Sequence, residues 1–400
     1  MELLRQELRK IWNPWTLLIL TVLGALYYLL FPGYYTKDFG YGDSVLRLPV
    51  YTEWAKKYGP TLEPAERAEL DGQLEREKAL FAEQLALFPF AAEQGIKDWD
   101  SFRAFNEARV YGKGDMQMER VFWTIVENTN YFRVDAVGEA IDCYDGLAEN
   151  RPPDLNYDGR DPPALTARKL ARIEEIKASD MVHGYLPTVV FSCAGYISRY
   201  FTVWSLLSVV LLLSPTLVRD RLRRTRLLQW SSRTGRRVLK TQFLAAELSA
   251  LGLWIINLAA YGIPFLAQHP LIYRDFRLFE FLTFSIPWFD WTFGVYLLIL
   301  AGMVLALSLA AAGFTVFLSQ YSGHYIAMLL KAVPLFAALA WLCSKMIINR
   351  AFLFGNPLSE LTGLPGPEFF SILLLAALSI ALPAVAYRQQ LRRELCASAA

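Results

Sequence analysis

Cysteine is scarce and scattered. Cys143, Cys193, Cys343 and Cys396 form no CxxC pair and no Cys/His cluster, which excludes a zinc site of the usual spacing. Only Cys143 falls in the polar part of the chain, so that part is expected to lack a disulfide staple; a Cys143–Cys193 pair is the alternative. Histidine is rarer still. His183, His269 and His324 stand far apart and read as interfacial residues, with a metal site shared by His183 and His269 as the alternative. No GxxxxGK[ST] occurs, so the chain has no glycine-rich loop to cradle ATP phosphates, and the turn from Tyr111 to Asp115 has the wrong spacing. HExxH and GxSxG are missing too. A net charge of only +2 gives no reason to expect a nucleic-acid partner. No internal repeat is evident.

Apolar residues dominate instead. Of 400 residues, 54% are hydrophobic and 20% charged, less charge and more apolar matter than a water-soluble protein of this length carries. The distribution is divided. Long apolar runs fill the first thirty or so residues and the second half, and a charged block at 33–185 separates them. That block is long enough to build a core of its own.

The leader ELLRQELRKIW places Leu4, Leu8 and Ile11 on one helical face and Arg5, Arg9 and Lys10 on the rest, the pattern of an amphipathic helix in the membrane interface. Asn13-Pro14 breaks it, and a first span follows over 15–31, read as retained because no A-x-A-like cleavage site follows. Within 33–185 no stretch can cross a bilayer. Thr61, followed by Pro64 and Glu66, is expected to cap one helix; further helices start near Asp115 and cover about 164–179. Later apolar runs predict spans within 186–218 and over 243–266, 292–318, 325–347 and 369–387. The expected fold is therefore an all-α polytopic membrane protein. It has six transmembrane helices, a leader helix within 1–32 and a large helical extracytoplasmic domain at 33–185, between spans 1 and 2.

Orientation follows from lysine and arginine. The leader, the segment 219–240 and the tail at 389–400, with Arg388 just before it, are all basic. Six spans put these on one side, and the positive-inside rule makes that side the cytoplasm. An odd number would misplace the tail. The 33–185 block and the aromatic loop 269–291 then lie outside, in a plasma-membrane protein with both termini in the cytoplasm.

Segment 219–240 carries more than charge. Leu227-Leu-Gln-Trp230 is an apolar patch, after which Ser231 or Ser232 can cap a turn and Gly235 can supply a positive φ. Its arginines suit paired contacts with carboxylates. The run SSRTGRR…LK opening a span, set behind an amphipathic leader, one span, a large outer domain and a second span, resembles permease subunits of ATP-binding-cassette transporters of the type-2 exporter class. The resemblance implies that Ser232, Arg233, Gly235 and Arg236 dock on a separate ATPase subunit and that the leader is an elbow riding on it. It also implies a second permease copy or a sister permease, and ATP and magnesium bound by the partner, with no cofactor on this chain.

Ionisable residues within spans 3–6 (241–388) are the next candidates, each costing about 2.5–3.5 kcal/mol at mid-bilayer on insertion scales. Lys331 lies roughly 10 Å into the fifth span. It either lines a translocation path, for which Glu247 of the third span is its candidate partner, or snorkels to the inner interface. The aromatic loop reads as an interfacial hairpin or half-helix. Two rival functions stand beside transport: an integral membrane enzyme with an outer-face site using Asp275, Glu280 and Asp290, and a sensor or scaffold whose outer domain binds a ligand.

Overall fold

The computed structural model describes residues 2–37, 39, 43–109, 116–148, 166–222, 238–280, 286–322 and 324–397. These residues are helical with no strand beyond isolated bridges. In chain order the helices are α1 (Glu2–Ile11), α2 (Pro14–Leu30), α3 (Asp43–Leu46), α4 (Leu48–Lys57), α5 (Pro64–Leu85), α6 (Pro89–Glu93), α7 (Trp99–Ala108) and α8 (Met116–Asn128). They continue with α9 (Tyr131–Ala148), α10 (Ala167–Lys177), α11 (Thr188–Leu222), α12 (Val238–Leu266), α13 (Phe293–Gln320), α14 (Tyr325–Leu342), α15 (Pro357–Thr362) and α16 (Pro367–Ala397).

Five stretches are long and apolar enough to cross a membrane: Thr188–Pro215, Val238–Leu266, Phe293–Gln320, Ile326–Ile348 and Pro367–Gln389. The pair α1 and α2, bent by 48° at their junction, makes a sixth if counted as one span. The bend has a local cause. Pro14 begins α2 with no N–H to offer, and the Asn13 side chain accepts from Trp15 N at 3.0 Å, restarting the helix in a new direction. The chain is a polytopic helical membrane protein.

It divides into two compact units. The first comprises Met1–Gly40, Phe191–Leu271 and Pro287–Ala400, and the second Tyr41–Val190 and Ile272–Ile286. In the first, α13 is the central element, packing on α12, α14 and most extensively on α16. The two helices approach closely at Gly313, where an added Cβ would lie 2.4 Å from the Ser379 carbonyl oxygen. Such close backbone approach is how helices associate where no aqueous phase drives apolar faces together. α2 meets its neighbours through Gly24 against the Trp204 ring and through Tyr27, whose hydroxyl donates to the Tyr200 carbonyl at 3.2 Å. Its other face, including Trp15, Leu18, Ile19 and Leu29, is exposed, as a lipid-facing surface would be.

α14 ends in a π-helical turn, Cys343–Ile348. The loop behind it is buried rather than open. Asn356 is fully buried: its Nδ2 donates to the carbonyls of Met346, Ile347 and Asn349, and its Oδ1 caps α15 by accepting from Leu358 N and Ser359 N. Phe352, held at a φ of 63°, donates its N–H to the buried carboxylate of Glu368 at 3.1 Å.

The second unit is a helical domain; none of α3–α10 is long and apolar enough to cross a membrane. Its core gathers Phe81 and Leu85 of α5, Phe102 of α7, Phe122, Ile125 and Val126 of α8, and Val134 of α9. α5 opens two residues later than the sequence suggests, with Glu63 rather than Thr61 as its cap; Glu66 Oε2 accepts from Glu63 N at 2.8 Å. Thr61 forms an isolated bridge with Gly184 instead. Ion pairs join helices across the surface: Arg67 to Asp145 at 2.6 Å, and Arg133 to Glu53 at 2.8 Å and Glu77 at 3.0 Å.

His183, stacked on Tyr144 with ring centroids 5.2 Å apart, has its pKa lowered, first by burial and against the attraction of Asp180 and Glu63. The fold therefore favours the neutral ring. Its contribution is fully present above the unfolded-state pKa of about 6.5 and is lost as pH falls through the lower folded-state value. Unfolding midpoints measured between neutral and acidic pH should fall less steeply in His183→Gln than in wild type; parallel slopes would remove His183 as the cause.

Candidate functional site

The basic segment 219–240 enters the structure at its two ends. α11 continues to Leu222 and α12 starts at Val238, so Ser232, Arg233, Gly235 and Arg236 lie outside the described residues.

The leader is fully described. On α1 the positions 4, 7, 8 and 11 share a face, and on it Glu7 and Ile11 are buried while Arg5, Arg9 and Lys10 are exposed. That face is turned onto α12. Beside it the Trp12 indole donates to Ser249 Oγ at 3.1 Å, and its ring lies over Gly252, where an added Cβ would come within 2.9 Å of it. Any larger residue there would oblige the Trp12 ring to shift. Glu7 is a residue that the amphipathic pattern passes over. It is only 3% exposed and is neutralised by Lys10 Nζ at 2.7 Å, a pair that places one charge in the packed face and leaves the other half-exposed. α1 and segment 219–240 therefore both bear on one helix: the first packs along α12, and the second leads into its start.

Glu247 and Lys331 are not brought together. Among the described residues no ion pair joins them; Lys331 is exposed and its Nζ reaches back to the Tyr321 carbonyl at 3.4 Å, at the end of α13. A cation over the C-terminal carbonyls of a helix is favourably placed in the helix field. Glu247 is half-buried on α12, two residues before the Ser249 that holds Trp12.

Of the three carboxylates named for the enzyme alternative, Glu280 is the buried one. Glu280 is 2% exposed and accepts from both the backbone N (3.0 Å) and the hydroxyl (2.6 and 2.7 Å) of Thr188, so it caps α11. Asp275 is exposed and pairs with Arg274 at 3.1 Å, and Asp290 is exposed. Among its described residues the aromatic loop has a 3-10 turn, Pro270–Tyr273, and several of its rings are buried in protein: Tyr273, Phe276 and Phe279 in the second unit, Trp288 in the first. Trp288 donates to Ser359 Oγ at 2.6 Å. Cys143, Cys193 and Cys343 are free thiols, which removes the Cys143–Cys193 pair; Cys193 donates to the Phe39 carbonyl. Among the described residues no group of three or more His, Cys, Asp or Glu could hold a metal. No family model, no curated protein and no solved structure matches the chain.

Proposed function

We propose that this chain is the membrane-spanning permease subunit of an ATP-driven transporter of the ATP-binding-cassette type, working as an exporter in the plasma membrane with a second permease copy or a sister permease. ATP and magnesium are bound by a separate ATPase, and this chain carries no catalytic residue. The observation that supports the reading best is mechanical. The leader helix is fastened along α12 through Ile11, Trp12 and the close approach at Gly252, and segment 219–240 runs into the start of the same helix. An ATPase pressing on either element moves α12, and α12 packs on the central α13. Two contacts that converge on one rigid rod transmit a displacement without requiring the whole bundle to deform.

Both termini and segment 219–240 belong on the cytoplasmic side, and the 33–185 domain belongs outside. Lys331 and Glu247 are the translocation-path candidates, although Lys331 in its contact with Tyr321 has the geometry of a snorkelling lysine.

Docking is tested by looking for an ATP-binding-cassette ATPase in the neighbouring coding sequence and co-purifying it with the chain. The double variant Arg233→Glu/Arg236→Glu should lose most of the complex and its ATPase stimulation, because two attractive contacts become repulsive. Complex formation at the wild-type level would show that the arginines mark topology alone. The enzyme alternative loses Glu280 as a free acid or base, since that carboxylate is already committed to α11.

A further inference from the structure

The second unit contains a charged cavity that the transport reading does not use. Its volume is about 410 Å³, within the range of small-molecule sites, and it lies between α7, α9 and Arg47. Two arginines line it, Arg47 and Arg103, against four carboxylates: Glu107, Asp135, Glu139 and Asp142. The arginines are already engaged. Arg47 contacts Asp135 at 2.5 Å and also pairs with Glu139, and Arg103 holds Glu107 at 3.1 Å. An excess of two negative charges remains, and among the described residues no ion pair neutralises Asp142.

The acids are aligned by the helix. Asp135, Glu139 and Asp142 are spaced four and three apart on α9, so they stand on one face with Gly138 between them. A Cβ added to Gly138 would meet nothing within 4 Å, so the wall is open at its middle. Aromatic rings line the same cavity. Tyr131 lies 5.7 Å from Trp99 and 5.6 Å from Phe102 between ring centroids, and all three line the cavity. Burial raises the Glu139 carboxyl pKa, ahead of the opposing attraction of Arg47 and with Asp135 adding to the rise. A second cation in the cavity would relieve that burden.

An anion finds no free guanidinium here, whereas an ammonium finds surplus carboxylates and ring faces together. We infer that this cavity binds a small organic cation carrying a primary ammonium, with Glu139 and Asp142 as its counter-ions and Trp99, Phe102 and Tyr131 against its apolar body. The site concerns the second unit alone and does not depend on coupling to an ATPase.

The test is calorimetric titration of the purified full-length chain in detergent with tyramine, with putrescine and, as the anionic counterpart, with 4-hydroxyphenylacetate. At least one of the two amines should bind saturably at millimolar or lower concentration, and the anion should not. Asp142→Asn, at an exposed position outside any ion pair, should weaken the binding roughly tenfold. Gly138→Leu should abolish it by filling the opening, while its circular-dichroism melt stays at the wild-type midpoint. Absence of saturable amine binding, equal binding of the anion, or wild-type affinity in the two folded variants would each overturn the assignment.

Discussion

Gly313→Val is expected to disrupt the packing of α16 on α13 and to lower the unfolding midpoint of the detergent-solubilised chain more than any other exchange along α13. The obstacle is backbone. A Cβ at this position would sit 2.4 Å from the Ser379 carbonyl oxygen, 2.9 Å from the Ser379 Cβ and 3.0 Å from its carbonyl carbon. No rotamer change at Ser379 moves its carbonyl, so one of the two helices has to shift as a body. Overpacking costs typically about 1–3 kcal/mol even where side chains can yield, and this site sits at the upper end or beyond. Gly302 on the same helix provides the control. A Cβ there meets nothing within 4 Å, so Gly302→Ala should be neutral or slightly stabilising. Equal melts for Gly313→Val and wild type would mean that the two helices do not approach as described.

Asn356→Leu should be nearly as damaging for the opposite reason. Leucine fills a similar space but leaves five polar backbone groups without their amide partner: the carbonyls of Met346, Ile347 and Asn349 and the N–H groups of Leu358 and Ser359. Each buried group left unsatisfied costs about 1–3 kcal/mol, reduced where neighbours relax or water enters. Asn356→Asp separates the two halves of the role. Aspartate is a good helix cap and keeps the acceptor for α15, but it turns a carboxylate towards three carbonyls. Thermal unfolding should therefore rank both variants well below wild type. An unimpaired Asn356→Asp would reduce the residue to a cap and leave the π-helical turn without its latch.

How far the sequence foretold this arrangement depends on how local each determinant is. The long apolar helices were legible because a bilayer-length run needs no partner to be recognised, and the Asn13-Pro14 break because cap and proline lie side by side. The cap of α5 was displaced by two residues, since threonine is the commoner cap and the reciprocal bonding of Glu63 with Glu66 competes with it. Buried polar residues were the least legible. Glu280 meets Thr188 across 92 residues, and Trp12 meets Ser249 across 237; nothing near either partner announces the other. The aromatic loop is ambiguous for the same reason. A dense run of rings is compatible with a lipid interface and with a folded-back core, and only distant partners such as Ser359 decide for Trp288. Of the candidate site, α1 was placed correctly as an amphipathic helix. Glu7 within its packed face was not foreseen, because a carboxylate there makes sense only with Lys10 beside it.

α14 is attached to its surroundings along a thread. Of its residues whose side chains are described, Met328, Ala332, Phe336 and Ala340 are fully buried at every fourth position, while Ile326, Leu330, Leu335 and Trp341 stand open. A rod glued along so narrow a line takes its tilt from the medium around it as much as from the wall it touches. Lipid thickness therefore acts together with packing on how α14 leans, since tilting is one response of a helix whose apolar length differs from that of the bilayer. The buried turn and loop at its far end, clasped by Asn356, fix one point about which that lean takes place.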